Sequence, residues 1–157
     1  MKTLKIVLMA LLVSAGLSFG TCSAQGVAGA KMEVKATIDA LFEGLKDKDP
    51  QAIKAAFAER ASLETVKKNA SGNAVERVSV GGFVNSIAAI PPEMEVEERL
   101  LEYDIKIDGE MASVWTPYTF YINGKLSHCG VNSFQLVKLD GKWKIVYLID
   151  TRRKEGC

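Results

Sequence analysis

With 20 basic and 19 acidic side chains among 157 residues, the chain carries a net charge of about +1 and lacks the basic excess that marks a nucleic-acid-binding surface. Its single histidine rules out a histidine-rich metal site, and no cysteine–histidine cluster has zinc spacing. An apolar content of 48% over this length is enough for one domain with a packed core.

The front of the chain reads as a processing segment. Lys2 and Lys5 precede an apolar run at residues 6–12, and Cys22-Ser23-Ala24 places small residues before Gln25. That is the pattern of a secretory signal peptide, residues 1–24, cleaved after Ala24. The apolar run is too short for a stable membrane span. Lipidation at Cys22 is the alternative, although Phe19-Gly20-Thr21 departs from the Leu-x-small triplet that usually precedes a lipidated cysteine. Residues 25–157 then form a single domain of 133 residues, with 18 basic side chains against 19 acidic ones, in the periplasm or secreted.

Val34, Ile38, Leu41, Phe42 and Leu45 recur at helical spacing and predict an amphipathic helix over residues 30–46. Asp49-Pro50 is an N-cap followed by proline at the first helical position, opening a shorter helix with Ile53, Ala56 and Phe57 on one side. Residues 61–68 read as a strand, and 69–73 as a turn marked by Ser71-Gly72-Asn73. Ser79 caps a third helix carrying Phe83, Ile87 and Ile90, which Pro91-Pro92 ends. A long strand follows over 94–107, turning at Asp108-Gly109. Three strands close the chain, 112–122, 125–139 and 142–151, joined at Asn123-Gly124 and Asp140-Gly141. Both dipeptides are preferred two-residue hairpin turns, because both positions need φ > 0. The expected fold class is α+β: N-terminal helices packed into a strongly curved antiparallel sheet.

This order of helices and strands resembles the nuclear-transport-factor-2-like superfamily, a cystatin-like cone. The C-terminal block is more specific. Trp115-Thr116-Pro117-Tyr118, Gly124, Ser127-His128-Cys129-Gly130-Val131-Asn132, Gly141-Lys142-Trp143-Lys144-Ile145 and Asp150-Thr151-Arg152-Arg153 with Cys157 are similar to the secreted bacterial branch labelled putative lumazine-binding. The resemblance implies a pocket for a small organic molecule. The superfamily includes dehydratases, isomerases and cyclases as well as non-enzymes, so fold alone does not set the activity.

The turns also predict a face. Counting from Asp140-Gly141 pairs Phe134 with Tyr147, Asn132 with Ile149 and His128 with Arg153. Counting from Asn123-Gly124 pairs Thr119 with His128 and Trp115 with Asn132. Cross-strand partners share a face, so Trp115, Thr119, Tyr121, His128, Asn132 and Tyr147 are the expected ligand-binding residues, an aromatic lining with a few polar groups. The same count places Val114, Thr116, Tyr118, Phe120, Val131, Val146 and Leu148 on the outer face. Exposed apolar area of that size calls for a partner, and Tyr118, Phe120, Val131 and Leu148 motivate a homodimer. Counting from Asp108-Gly109 sets Glu102 against Trp115 and Glu98 against Thr119. Either a bulge near 111–113 shifts the face, or the pocket holds a buried acid.

His128 is the candidate catalytic residue, as a general base or a ligand hydrogen-bond partner. Cys129 points to the opposite face and cannot pair with it as a nucleophile. Glu98, Glu102 and Asp150 are its candidate acid partners, with Asp150 assigned to the opposite face. The reading is an exported pocket protein for a flat heterocycle, with no cofactor, metal, nucleic acid or membrane span expected. The alternative is a lyase- or isomerase-like enzyme using His128 with a buried carboxylate. Cys129 falls opposite Arg152, five residues before Cys157, so the tail can fold back into a Cys129–Cys157 disulfide. A loop of that size is worth roughly 3–4 kcal/mol on the chain-entropy model.

Overall fold

The computed structural model of the protein describes residues 21–69 and 72–157. Most of the expected leader lies outside them. Helix α1 (Thr21–Lys46) begins before the expected cleavage point and buries Val34, Ile38, Leu41 and Leu45 almost completely. Helix α2 (Pro50–Ala56) starts where Asp49 accepts from the Gln51 and Ala52 amides at 2.8 and 3.2 Å. Pro50 has no N–H to satisfy, so these two bonds take care of the next two amides of the first turn.

Strands β1 (Phe57–Asn69) and β2 (Gly72–Ser79) follow, and the turn expected at 69–73 includes two residues outside the described ones. Ser79 caps α3 (Val80–Ala88) through the Gly82 amide at 3.0 Å. The remaining strands are β3 (Val96–Leu100), β4 (Asp104–Asp108), β5 (Met111–Ile122), β6 (Lys125–Leu139) and β7 (Lys142–Thr151).

The sheet runs β2-β1-β7-β6-β5-β3, with β4 also on β5. β1 pairs with β7 in parallel and the other pairs are antiparallel, so the curled, open sheet is mixed rather than purely antiparallel. α1 packs across β3, β4 and β7, and its buried stripe meets Val114, Phe134, Leu136 and Ile145 in one core.

Both hairpin turns form as the sequence predicts. Asn123, Gly124, Asp140 and Gly141 all have positive φ, and the pairs Ile122 with Lys125 and Leu139 with Lys142 close them. The register then departs from a straight count. Tyr121 pairs with Leu126 but Phe120 with His128, so Ser127 is an extra residue in β6. Leu136 pairs with Ile145 but Gln135 with Tyr147, so Val146 is an extra residue in β7. Side chains alternate faces along a strand, so each bulge turns the rest of its pairing over.

The long strand expected over 94–107 is likewise broken. Leu100 pairs with Tyr118 and Asp104 with Trp115, leaving Leu101, Glu102 and Tyr103 against Thr116 and Pro117. The bulge therefore lies in this segment and not near 111–113. Its tight turn is Gly109-Glu110, between paired Asp108 and Met111, one residue later than expected.

At Gly130, Tyr118 of β5 and the Thr151 main chain of β7 both press against β6. A Cβ there would collide with the Thr151 carbonyl oxygen and lie 2.8 Å from Tyr118 Cε1. The obstacle is main chain, which cannot swing away. Gly130→Ala is therefore expected to lower stability by about 2–3 kcal/mol or more. Urea unfolding monitored by tryptophan fluorescence measures this, and a loss under about 1 kcal/mol would contradict the close crossing.

Candidate functional site

Between the helices and the inner face of the sheet lies a cavity of about 350 Å³. Leu41 and Phe42 of α1, and Phe83 and Ile87 of α3, form one wall. Tyr118, Phe120, His128, Asn132, Leu148 and Asp150 form the other, with Glu98 and Arg152. Its size falls within the range of small-molecule sites, and its mix of apolar walls with a few polar groups is typical of them.

The structure brings His128 and Asn132 into this cavity, as the sequence predicts, and leaves the other four expected residues out. Trp115 pairs with Ser133 and is 54% exposed. Thr119 sits opposite Cys129 rather than His128. The Tyr121 ring lies under the Arg99 guanidinium at 4.1 Å, in a separate groove. Tyr147 donates from its hydroxyl to Glu64 Oε2 at 2.7 Å. All four errors have one cause, the bulges at Ser127 and Val146, which turn the strands over beyond the first pairs. For the same reason Tyr118, Phe120 and Leu148, which motivated the homodimer, line the cavity instead of the outer face. Asp150 is inside as well, contrary to the sequence assignment.

The aromatic part of the wall is ordered. The His128 ring stacks on Phe120 with centroids 4.9 Å apart and meets Tyr118 edge-on at 5.9 Å. His128 Nδ1 lies 3.1 Å from Ser127 Oγ, and no carboxylate hydrogen-bonds the ring among the described residues. Burial, and then the Arg152 guanidinium, lowers its pKa below the usual value, so the ring is neutral at pH 7.

Four acids line the cavity: Glu64 and Glu76 are paired with Arg77 and Lys67, and Asp150 and Glu98 stand nearer His128 and Asn132. The Tyr118 hydroxyl donates to the Thr151 carbonyl at 2.9 Å and lies 3.2 Å from Asp150 Oδ2, which also accepts from Arg152 Nε at 2.9 Å. Glu98 Oε1 accepts from Asn132 Nδ2 at 2.6 Å. Burial pushes the Glu98 carboxyl up to about 8; Asp150 adds to the rise, and the Asn132 bond opposes it. Glu98 is therefore protonated at neutral pH, while Glu102 is exposed on the strand break. Among the described residues, no group of histidine, cysteine, aspartate and glutamate is placed to hold a metal ion.

The sulfurs of Cys129 and Cys157 lie at bonding distance, with Cα atoms 5.7 Å apart. Cys129 exchanges two 2.9 Å backbone hydrogen bonds with Arg153, again one residue on from the expected Arg152. The strand end tied down here carries Arg152 into the cavity, not Arg153.

The family described as "Putative lumazine-binding" matches residues 30–148. The chain belongs to this family. No curated protein matches it. Solved structures share its fold at low identity. An NTF2-like protein with a cystatin-like fold from Novosphingobium aromaticivorans is 12% identical, with a TM-score of 0.68, covering 86% of this chain and 88% of that one. A protein of unknown function with a cystatin-like fold from Nostoc punctiforme is 15% identical, with a TM-score of 0.65 and coverage of 82% and 94%. A putative dehydratase of the NTF2-like family from Streptomyces avermitilis is 14% identical, with a TM-score of 0.63 and coverage of 81% and 98%. The family member described here thus shares the cystatin-like α+β fold of these structures, with Glu98 and Asn132 side by side in its cavity wall.

The raised Glu98 pKa has a consequence for stability. Between the ordinary carboxyl value of 4.5 and about 8, the folded protein holds a proton that the unfolded chain releases. Stability from this group is full below the unfolded value and is lost as pH rises through the folded one. Glu98→Gln removes the titration. Urea midpoints of the two proteins should run together near pH 4 and diverge toward pH 9, with the variant more stable at high pH. Parallel profiles over that range would mean that Glu98 titrates normally.

Proposed function

We propose that the protein is an exported small-molecule-binding protein whose ligand is a flat, largely apolar ring carrying a few polar groups. The observation that carries this reading is the cavity itself: a stacked His128–Phe120 pair and an apolar helix wall facing Asn132 and Glu98. Flat aromatic walls favour flat ligands, and few but buried polar groups fix their orientation. A lumazine-type heterocycle fits that description and agrees with the family's name.

The reading includes three further parts. The basic and apolar leader supports cleavage after Ala24 and a periplasmic or secreted location. The placement of Cys129 and Cys157 supports a disulfide, which oxidising compartments preserve. A homodimer would use the outer sheet face, where Trp115 is exposed, since three of the four residues that first suggested it, Tyr118, Phe120 and Leu148, line the cavity. Catalysis by His128 with a carboxylate is the second reading. What favours it is the presence of Glu98 and Asp150 in the same cavity; what it lacks is a hydrogen bond from either acid to His128.

Native mass spectrometry of the protein purified from its own periplasm tests these parts together. The expected spectrum shows a chain beginning at Gln25, two hydrogens lighter than its reduced form, dimeric, with a small organic adduct released on activation. Leu148→Trp, which fills the cavity, should lose the adduct. A wild-type protein that carries no adduct, and a panel of flat heterocycles none of which binds, would refute the pocket reading.

A further inference from the structure

We propose that Glu98 and Asn132 form a paired donor and acceptor that selects an uncharged ligand edge presenting adjacent C=O and N–H groups, the edge of a cyclic amide. This inference rests on the small-molecule reading of the cavity and names the chemistry recognised there.

The two side chains come from separate strands, β3 and β6, and meet through one hydrogen bond, Asn132 Nδ2 to Glu98 Oε1. That bond uses one oxygen of the carboxyl and one end of the amide. The other oxygens, Glu98 Oε2 and Asn132 Oδ1, have no protein partner among the described residues. Asn132 is only 3% exposed, so its free oxygen belongs to a side chain that is otherwise enclosed. Yet neither oxygen is sealed off. Among the described residues, the fully buried side-chain polar atom without a partner is Ser62 Oγ, elsewhere on β1. Both residues line the cavity, and Glu98 also borders a neighbouring groove with Asp39, Lys46 and Tyr103, so the free acceptor of Asn132 is offered to the cavity and the Glu98 carboxyl stands beside it. Leaving such groups dry and unpaired is costly, and a ligand that pairs them gains the difference.

The protonation state fixes what is offered. A neutral Glu98 whose Oε1 accepts from Asn132 has its proton on Oε2, where it donates. Asn132 Oδ1 can only accept. The pair thus presents the Glu98 hydroxyl as a donor next to the Asn132 Oδ1 acceptor, with the second Asn132 N–H as a further donor, and the complement of the first two is an acceptor beside a donor. A carbonyl next to an N–H in a planar ring supplies both. The surrounding charges are consistent with an uncharged guest. Asp150 is paired with Arg152, His128 is neutral, and Lys67 is paired with Glu76. No unpaired cationic group among these is left to hold an anion.

The test uses carbostyril, a planar fluorescent lactam, against N-methylcarbostyril, which keeps the ring and carbonyl but lacks the N–H. Titration of the wild-type protein should give carbostyril affinity at least about tenfold higher, the cost of leaving Asn132 Oδ1 unpaired. Glu98→Gln keeps one donor and one acceptor in place and should bind carbostyril within about threefold of wild type. Glu98→Leu should bind it about tenfold more weakly. Equal affinities for the two compounds in the wild-type protein, which needs no variant to fold, would overturn the inference while leaving the pocket reading intact. So would a Glu98→Leu protein that matches wild type. If neither compound binds, the cyclic-amide inference falls, and the adduct measurement decides the pocket separately.

Discussion

Two extra residues, Ser127 in β6 and Val146 in β7, decide which side chains meet the helices. A strand has a period of two, so one inserted residue exchanges its inner and outer faces from that point on. Without them, Trp115 and Tyr147 would face α1, and Tyr118, Leu148 and Asp150 would face away. With them, the central strands deliver Val114, Thr116, Tyr118 and Phe120 inward from β5, and Leu148, Asp150 and Arg152 from β7. The third irregularity, at Leu101–Tyr103, lets β3 and β4 both pair with β5 while Glu98 stays on the cavity side. It also delivers the Tyr103 hydroxyl to Asp39 on α1, in a hydrogen bond that ties the break to the helix. Gly130 then allows Tyr118 and the Thr151 main chain to approach across β6, which places the Tyr118 hydroxyl beside Asp150.

The arrangement concentrates polar groups in an otherwise apolar enclosure. Burying ionised groups is expensive unless they are paired. Asp150 meets this condition through Arg152 and the Tyr118 hydroxyl. Glu98 meets it differently, by holding its proton, because burial outweighs the one hydrogen bond that favours its charged form. Tyr118 likewise keeps its proton, its pKa raised by burial and by the nearby Asp150 and Glu98. The interior therefore offers hydrogen bonds beside charges that are already paired, Glu64 with Arg77, Glu76 with Lys67 and Asp150 with Arg152, which suits recognition of a neutral molecule more than attraction of an ion.

How much of this was legible in the sequence follows from the same physics. Helix periodicity, the Asp49 and Ser79 caps and both Gly-containing hairpins are local signals, and each appears where the residues put it. The Cys129–Cys157 proximity survived because the tail is short enough to reach whichever face the strand presents. β2 left no signal, since Gly72–Ser79 is exposed along nearly its whole length and has no apolar face. The bulges left none either: a serine and a valine inside regular strands do not announce an insertion. A straight count from each turn was right for the pairs next to it and wrong beyond. His128 and Asn132 came out inside because the count misplaced their partners and not them. One corrective signal was available. Along β5 alone, Ala112, Val114, Tyr118 and Phe120 alternate with Ser113, Trp115, Pro117 and Thr119, and the first set is the one that is buried or lines the cavity.

The neutral polarity of the cavity depends on Glu98 keeping its proton beside Asn132 at neutral pH. Carbon-13 NMR of the side-chain carboxyl resonances, followed from pH 3 to 10 and assigned by the peak missing in Glu98→Gln, measures this directly. One glutamate carboxyl, absent from the variant, should titrate with its midpoint at about 8. A Glu98 resonance that titrates in the ordinary carboxylate range, with the other glutamates, would contradict it.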